Sequence, residues 1–297
     1  MQVDHTALSI AGGPIKIARL EHERYIDIED PAALIDTVRQ SKPAADIFTF
    51  FQRLPESKPK FTDYYMEYES IAALPIRSYD YWLERQIPKQ TRTSLKKSQK
   101  QGVIVRQAAF DDDYIQGMTG ILNESPIRQG RPNWHYGKNF EAVKKEFAKY
   151  AFREEHIGAY YNNEMIGFLF LAHAGRYAIP IQIVSKIAHQ DKKPNNALMA
   201  KAVELCAEKK ISWLVYGKWA RGPRNDFKVH NGFENVILPR YYVPLSLKGS
   251  IALKLHLHHG LAGLLPEAAI LRLMDIRQKY YASRFKNAAK YGTAKND

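Results

Sequence analysis

The sequence predicts an α/β (α+β) protein: a mixed sheet flanked by helices, with an N-terminal α/β region before it and a C-terminal helical tail after it. Three observations support this prediction. Between residues 102 and 246, strand-like alternation and helix-like periodicity follow one another along the chain. Two of the strands flank Asn162-Asn163, a pair that suits the positive φ of a tight hairpin. A later strand is followed by a long helical connection, which is typical of a parallel crossover.

Three regions are expected. Residues 1–101 are predicted as the N-terminal α/β region, which we also consider as a reduced second lobe of the main fold; residues 102–246 form the main domain, and residues 247–297 form an amphipathic tail. In the first region, Pro31 begins a short helix, PAALIDTVRQ, because proline suits the first helical turn. Ser78 is predicted to cap a second helix.

The first half of the main domain is predicted as strand, helix, loop, helix. A basic helix, KQTRTSLKKSQK, ends at Gly102 and precedes the strand VIVRQAAF. The next helix, DDDYIQGMTGILNE, carries its acids at the end where the helix dipole is positive. A long loop, SPIRQGRPNWHYGKN, then leads to the helix FEAVKKEFAKYAF.

The second half begins with the hairpin strands HIGAYY and EMIGFLFLAHAG, followed by the strand RYAIPIQIVSKIAH. The loop QDKKPNN leads into the helix ALMAKAVELCAEKK, whose apolar residues share one face. The strand ISWLVYGKW, a short helix ended by Gly232 and the strand ILPRYYVPLS complete the domain. An opening is expected where the third strand and the next parallel strand separate.

Charge and cysteine content narrow the classes of function. The 297 residues carry a formal net charge of +13, so the protein should attract polyanions or phosphate-bearing molecules. The single cysteine, Cys206, excludes an intrachain disulfide framework and a Cys-rich zinc module. The N-terminus does not have the pattern of a leader peptide, and no apolar run is long enough to span a membrane, so a cytoplasmic location is expected.

These segments resemble the GNAT acyl-CoA N-acyltransferase superfamily. IGAYYNNEMIGFLFLAHAG is similar to its central hairpin, and IPIQIVSKIAH with QDKKPNNA and ALMAKAVELC is similar to its acyl-CoA motif. RTSLKKSQK before GVIVRQA, together with FKVHNGFE and PRYYVPL, resembles the FemAB-like branch, which includes BioF2-like acetyltransferase domains. The resemblance covers about half of the chain and implies acetyl-CoA or another acyl-CoA as co-substrate.

The resemblance also implies a donor site. In the family the donor's pantetheine arm pairs with the strand before the loop, and the loop binds the pyrophosphate. Lys192 stands at the family's basic position, Asn195 at its glycine, where a left-handed conformation is expected, and Ala197 at its last position. The implied donor-binding residues are Gln182, Val184, Ser185, Lys192, Lys193, Asn195, Asn196 and Ala197.

The long loop is predicted to bind the acceptor. Arginine can bind carboxylate or phosphate in bidentate fashion, and aromatic rings provide stacking faces. The predicted acceptor-binding residues are Arg128, Gln129, Arg131, Trp134 and Tyr136.

Direct acyl transfer needs a base for the attacking amine and an acid for the leaving group. The candidates are His189, His230, His135 and Tyr241, with Glu124 as a further carboxylate. A covalent mechanism through Cys206 is rejected, because nothing in the sequence activates the thiol. No metal is expected: His256, His258 and His259 have no carboxylate or cysteine at ligand spacing.

The interpretation with most support is an acyl-CoA-dependent N-acyltransferase acting on an amine of a small or cell-surface polysaccharide precursor. The alternatives are a FemAB-type aminoacyltransferase that uses aminoacyl-tRNA, and a non-catalytic basic adaptor in polysaccharide assembly. A basic run with no acid extends from Arg85 to Arg106. We favour a solvated helix face for it; contact with tRNA or an anionic membrane is the alternative. The tail is a candidate surface for a homodimer.

Overall fold

The computed structural model describes residues 2–3, 6–21, 23, 26–128, 131–148, 154–219 and 225–260, and a few positions between 268 and 283. The chain divides into two compact units, one of Met1–Ile71 with Val236–Met274 and one of Ala72–Asn235 with Asp275–Asp297. The predicted boundary after residue 101 differs from this division. The basic helix belongs to the same unit as the main sheet, and residues 247–260 belong to the first unit.

The described residues of the first unit form six strands, two of them only in part, and the helices α1 and α8. Its strands have the order β1-β2-β3-β4-β13-β5. Their bounds are β1 Gln2–Val3, β2 Thr6–Ala11, β3 Ile17–Leu20, β4 Ile47–Phe51, β5 Tyr65–Pro75 and β13 Glu234–Pro244; β5 ends, and β13 begins, in the second unit. Helix α1 (Pro31–Gln40) is capped by Asp30, as the helix-start pattern favours, and α8 spans Leu247–Lys254. Phe48, Phe50 and Tyr241 lie in the core of this unit.

The second unit has the predicted mixed sheet with helices on both faces. Its strand order is β5-β12-β11-β10-β9-β6, and β7 and β8 form a separate small hairpin. The strands are β6 Ile104–Ala108, β7 Ile127–Arg128, β8 Arg131–Pro132, β9 Glu154–Tyr161, β10 Glu164–Ala174, β11 Tyr177–Ser185 and β12 Trp213–Lys218. The helices are α2 Tyr79–Tyr81, which continues as a π-helical turn Trp82–Gln86, α3 Lys89–Lys100, α4 Asp112–Leu122, α5 Phe140–Phe147, α6 Pro194–Glu208 and α7 Asp226–His230.

Alternation along β10 distributes its side chains to two cores. Phe168 and Phe170 pack with α4 and α5 on one face of the sheet. Leu169 and Leu171 pack with α6 on the other face. Both cores are made of fully buried apolar groups, so the hydrophobic effect holds the helices on the sheet. This packing positions the ends of β10 and β11 and the loop that precedes α6.

The predicted hairpin and crossover are confirmed. Asn162 and Asn163 have φ values of 48° and 64° between antiparallel β9 and β10. Strand β11 is antiparallel to β10 and parallel to β12. The parallel register covers only Tyr177↔Trp213 and Ala178↔Leu214, although β11 continues to Ser185 and β12 to Lys218. Beyond these two pairs, the two fully described strands are not paired with each other, which is the pairing expected where they separate.

A bulge lies on the open part of β11. The register with β10 shifts between Phe170 and Leu171, so that Ile181 is the extra residue between Pro180 and Gln182. This shift interrupts the alternation of side chains along β11. Ile187, which belongs to the predicted strand RYAIPIQIVSKIAH, lies outside β11. The bulge turns the backbone at the point where β11 is no longer paired with β12.

The start of the predicted helical tail is not one continuous helix. Helix α8 ends at Lys254, His256 has φ 54°, and a 3₁₀ turn covers Leu257–His259. The left-handed backbone at His256 cannot continue an α-helix, and it redirects the chain. Most of the predicted tail beyond residue 260 lies outside the described residues.

Candidate functional site

The loop between β11 and α6 forms one side of the candidate site. A 3₁₀ turn spans Ile187–Lys192, and Lys193 has the left-handed conformation (φ 57°, ψ 41°) before α6 begins at Pro194. The prediction of a left-handed Asn195 is wrong, because Asn195 lies in the first turn of α6. Asn196 and Ala197 direct their backbone N–H groups to the Lys193 carbonyl oxygen, at 3.2 and 3.3 Å. Three of the predicted donor-binding positions are therefore ordinary first-turn positions of a helix.

A carboxylate of the protein occupies the start of this loop. Glu124, just after α4, accepts hydrogen bonds from the backbone N–H groups of Ile187 (2.6 Å) and Ala188 (2.9 Å). Backbone N–H groups at the beginning of a helical turn are the kind of group that binds phosphate in related architectures. Here they are already paired with an anion that belongs to the chain.

Arg128 joins the same network rather than facing solvent. Its guanidinium donates to Glu124 Oε2 at 3.0 Å and to the backbone carbonyl oxygens of Ser185 (2.8 Å) and Ile121. Burial holds the pKa of Arg128 below its usual value, and the charge of Glu124 opposes that shift. The predicted role of Arg128 in acceptor binding is corrected: its fork positions Glu124 and the end of β11.

A second network connects the long loop to the bulged part of β11. The His135 side chain is only 4% exposed; its Nε2 lies 3.2 Å from the Gln182 amide nitrogen, and its Nδ1 lies 3.6 Å from Glu146 Oε2. The Gln182 amide donates, so Nε2 of His135 accepts and Nδ1 carries the proton. Burial, aided by Lys138, lowers the pKa of His135 and outweighs the opposing effect of Glu146. His135 is therefore neutral at pH 7 and orients Gln182.

The remaining predicted donor-binding residues are held by other groups. Val184 packs against the α4–α5 core, and Ser185 is buried opposite Gly167. Lys192 pairs with Asp191 at 3.3 Å, and its ammonium lies 4.8 Å from the Tyr161 ring centre. Lys193 contributes the left-handed residue before α6. The structure brings Gln182, Ser185 and the long loop together, but it pairs Lys192 with an acid.

The other catalytic candidates belong to neither of these two networks. His189 faces the hairpin, with Nε2 at 3.4 Å from Glu164, and His230 ends α7, where its carbonyl accepts from Thr91. Tyr241 is fully buried in the first unit, and its hydroxyl donates to Gln52 and accepts from the Lys60 N–H. No substrate can reach that hydroxyl, so the catalytic assignment of Tyr241 is corrected to a structural one.

Burial also makes the Cys206 thiol a poor nucleophile. The residue lies on the buried face of α6, and burial raises the pKa of its thiol to about 12. A thiol that stays protonated is a poor nucleophile, which agrees with the rejection of a covalent mechanism.

The exposed part of the long loop contains three of the predicted acceptor residues. Trp134 is 69% exposed, and the Lys138 ammonium lies 4.1 Å from its ring centre. Arg131 in β8 and Tyr136 are also exposed. Gln129, the fifth predicted residue, lies outside the described residues. This loop therefore presents an aromatic and cationic surface near the His135–Gln182 pair.

The basic run lies on the surface of α3 and its flanks, as predicted for a solvated face. Lys89, Lys96, Lys97 and Lys100 are exposed, whereas Arg92 caps backbone carbonyl groups of the π-helical turn. Helix α3 packs against α6. Desolvation raises the pKa of Asp191, but pairing with Lys192 and the nearby charge of Lys97 hold it below its usual value. The basic face of α3 therefore borders the loop that precedes α6.

Sequence reasoning named Glu124 as a candidate carboxylate but did not identify its partners, and it did not identify Glu146 at all. Glu124 precedes Arg128 by four residues, so this ion pair has a detectable local signal. The hydrogen bonds of Glu124 to Ile187 and Ala188 leave no local signal in the sequence, because more than sixty residues separate the partners. Glu146 was not identified because the sequence of α5 contains several charged residues, and nothing in the sequence distinguishes Glu146 from the others.

Comparisons with known proteins identify the fold. No protein-family model matches the sequence, and no curated protein matches it. The structure is similar to that of FemX, with 11% identity and a TM-score of 0.56 over 83% of this chain and 85% of that one. It is also similar to the C-terminal domain (DUF2156) assigned to a lysylphosphatidylglycerol synthetase from Agrobacterium fabrum (12% identity, TM-score 0.55, 83% of each chain). A third similar structure is L-PGS from Bacillus licheniformis (11% identity, TM-score 0.55, 84% of this chain and 85% of that one).

The predicted resemblance is confirmed at the level of the fold. The chain has the architecture of FemX and of the two synthetase structures, and the mixed sheet flanked by helices is the one expected from the sequence. Among the described residues, no helix has the length and apolar character required to cross a membrane.

Proposed function

We propose that this protein is an acyltransferase that takes its acyl group from an aminoacyl-tRNA and transfers it to an amine or hydroxyl of a cell-envelope precursor. The observation that carries the proposal is the Glu124 carboxylate on the N–H groups of Ile187 and Ala188. A pyrophosphate at this loop would have to displace a carboxylate that Arg128 also holds. The geometry thus disfavours a donor bound through its pyrophosphate, as acyl-CoA is.

The position of the cationic surface supports tRNA as the carrier. Exposed lysines along α3 provide several charges in a row beside the loop that precedes α6. A row of cations gains affinity for a nucleic acid backbone by releasing counterions, and it needs no base-specific contact. The absence of aromatic residues between these lysines fits recognition of the backbone rather than of single bases.

The opening between β11 and β12 is the proposed place of acyl transfer. The acceptor nucleophile attacks the ester carbonyl carbon, the bond to the tRNA ribose oxygen breaks, and that oxygen takes up a proton. Strand N–H groups on the open part of β11 can polarise the carbonyl. His135 positions Gln182 at the bulge, and the exposed residues Arg131, Trp134 and Tyr136 are proposed to contact the acceptor.

The similar structures point in the same direction. Lysylphosphatidylglycerol synthetase is named for a product in which an amino acid is attached to a lipid, and FemX represents the branch for which the sequence resemblance implies aminoacyl-tRNA. These likenesses support aminoacyl transfer as the general reaction.

Acyl-CoA remains the second candidate donor. The separation of β11 from β12 and the bulge at Ile181 favour it, because they leave strand backbone able to pair with an extended pantetheine arm. In this case the acceptor would be the amine of a polysaccharide precursor.

A transfer assay distinguishes the two donors. The protein is incubated with tRNAs charged with radiolabelled amino acids, or with labelled acetyl-CoA, together with phosphatidylglycerol vesicles or peptidoglycan-precursor peptides. The proposal expects label to move from tRNA to one acceptor and the rate to fall in Gln182→Ala. Transfer from acetyl-CoA alone would replace the proposal with the second candidate.

A further inference from the structure

A cluster of one carboxylate and two imidazoles lies in the first unit, apart from the residues discussed so far. Glu67 on β5 faces His258 and His259 in the 3₁₀ turn after α8. The Nε2 atom of His258 lies 3.0 Å from Glu67 Oε1, and the Nε2 atom of His259 lies 2.6 Å from Glu67 Oε2. One ligand atom from each residue can be chosen so that all three lie within 4.8 Å of one another.

The surroundings of the cluster fix its geometry. The His258 side chain is completely buried and packs against the Tyr242 ring at a centroid distance of 4.8 Å. The Tyr65 hydroxyl lies 2.9 Å from Glu67 Oε1 and 3.0 Å from His256 Nδ1. The left-handed His256 turns the chain so that both following histidines reach the same carboxylate. Hydrogen bonds of this kind to a ligand orient metal sites.

We propose that Glu67, His258 and His259 form a zinc site that joins β5 to the segment after α8. Two imidazole nitrogens and one carboxylate oxygen are ligands that Zn²⁺ accepts in tetrahedral sites, with a fourth position left for water or another group. The mixed nitrogen and oxygen set disfavours Ca²⁺ and Mg²⁺, which prefer oxygen ligands. The expectation of no metal depended on the absence of a nearby carboxylate in the sequence, and the fold supplies one from β5.

The arrangement of the two rings also suits a shared cation. The adjacent imidazoles have ring centres 4.1 Å apart and face one carboxylate. Zn²⁺ would replace the Nε2 protons that the two rings direct at Glu67, so that both rings would bind it through Nε2. The inference is independent of the proposed function, because none of these residues belongs to the donor or acceptor site.

Zinc titration of the full chain, without a polyhistidine tag and after removal of metal by EDTA, tests the site. Calorimetry is expected to give one Zn²⁺ per chain, and Co²⁺ is expected to give the visible absorption of a tetrahedral site. His259→Gln should weaken Zn²⁺ binding more than about tenfold. His259 is 45% exposed, so this variant should fold even where a change at buried His258 does not. Glu67→Gln should weaken binding similarly.

The matched control is His173→Gln, because His173 also pairs with a glutamate, Glu155 at 3.1 Å, and that carboxylate has Lys209 as its other ion-pair partner. This variant should bind Zn²⁺ as the parent does. Zn²⁺ should raise the melting temperature of the parent and of the control in a concentration-dependent way, but not that of His259→Gln. If the parent binds no Zn²⁺, or if His259→Gln and Glu67→Gln bind it equally well, the cluster is only a hydrogen-bonded group and the proposal is wrong.

Discussion

Glu124 determines which anions the loop before α6 can accept. Its carboxylate holds the N–H groups of Ile187 and Ala188, and Arg128 holds the carboxylate. Glu124→Ala removes the built-in anion and leaves three donors facing the space it occupied. We therefore expect this variant to bind inorganic pyrophosphate and CoA more tightly than the parent, measured by calorimetry at low salt.

The same substitution should also lower stability. Leaving partly buried donors without acceptors costs about 1–3 kcal/mol, so the urea midpoint should fall. Asp113→Ala is the control, because Asp113 is an exposed acid on α4, the helix that precedes Glu124. Equal anion binding by parent and Glu124→Ala would contradict the role given to this carboxylate.

The buried hydroxyl of Tyr241 is expected to contribute to stability and not to catalysis. Tyr241→Phe removes a buried hydroxyl that donates to Gln52 and accepts from the Lys60 N–H. Losing these bonds should reduce the free energy of unfolding by about 1–2 kcal/mol. Urea unfolding measures the change, and donor binding should not change. A variant of normal stability that has lost transfer activity would restore the catalytic assignment.

Single-residue roles were the least predictable part of the site. Arg128 and Tyr241 have the chemistry of functional groups, but burial and long-range partners decide what they do. Gln182 and His135 were both selected from the sequence for separate reasons, and the fold brings them to 3.2 Å. A sequence indicates which groups can react; it does not indicate which are already satisfied by other parts of the chain.

The exposed lysines of helix α3 are expected to bind the tRNA backbone. Replacing exposed Lys96, Lys97 and Lys100 by alanine should weaken tRNA binding and reduce the slope of log K against log salt by about 2–3, because each lost phosphate contact lowers the slope by about one. Fluorescence anisotropy over a range of salt concentrations measures both.

A control with the same loss of charge separates local contact from net charge. Lys42, Lys58 and Lys60 are exposed lysines of the first unit, and their triple alanine variant should retain the salt slope of the parent. If both triple variants lose the same affinity, the α3 surface has no special role and only the overall charge matters.

Elements specified by neighbouring residues were predicted well. The Asn162-Asn163 hairpin and the buried face of α6 follow from turn preference and helical periodicity, both of which are local. The loop before α6 was predicted from a family pattern, and its left-handed residue is Lys193 rather than Asn195. Its form depends on Glu124, which is distant in sequence, so no local pattern could predict it.

The stability of the whole molecule should depend on pH through its buried histidines. Burial lowers the pKa of His135, His156 and His173 relative to the unfolded value of about 6.5. The unfolded chain therefore binds more protons than the folded one below that pH, so their stabilising effect is present above about pH 6.5 and is lost as the pH falls.

Urea unfolding at pH 7.5 and 5.5 tests this expectation. The midpoint should be lower at pH 5.5. Glutamates with lowered pKa, such as Glu155 and Glu164, act in the same direction but only below about pH 4.5, so this window reports the histidines. A midpoint that is unchanged or higher at pH 5.5 would show that these rings are protonated in the folded state.

At the scale of the whole chain, the fold class was predictable and the division into units was not. The order of the predicted elements was sufficient to predict the mixed sheet, and the composition was sufficient to predict the positive net charge of the protein. The first unit is completed by β13, which pairs with β4 across nearly two hundred residues of sequence. Such long-range pairing leaves no periodic signal, so the predicted boundary fell at the end of the basic helix instead.

The central claim is that the donor is carried by tRNA and not by CoA. Binding of deacylated bulk tRNA, measured by fluorescence anisotropy, and binding of CoA and acetyl-CoA, measured by calorimetry, test it on the same preparation of parent protein. We expect saturable tRNA binding that weakens steeply with salt, and no detectable heat with CoA or acetyl-CoA. Stoichiometric binding of acetyl-CoA, with tRNA binding no tighter than that of a duplex DNA of equal length, would contradict the claim.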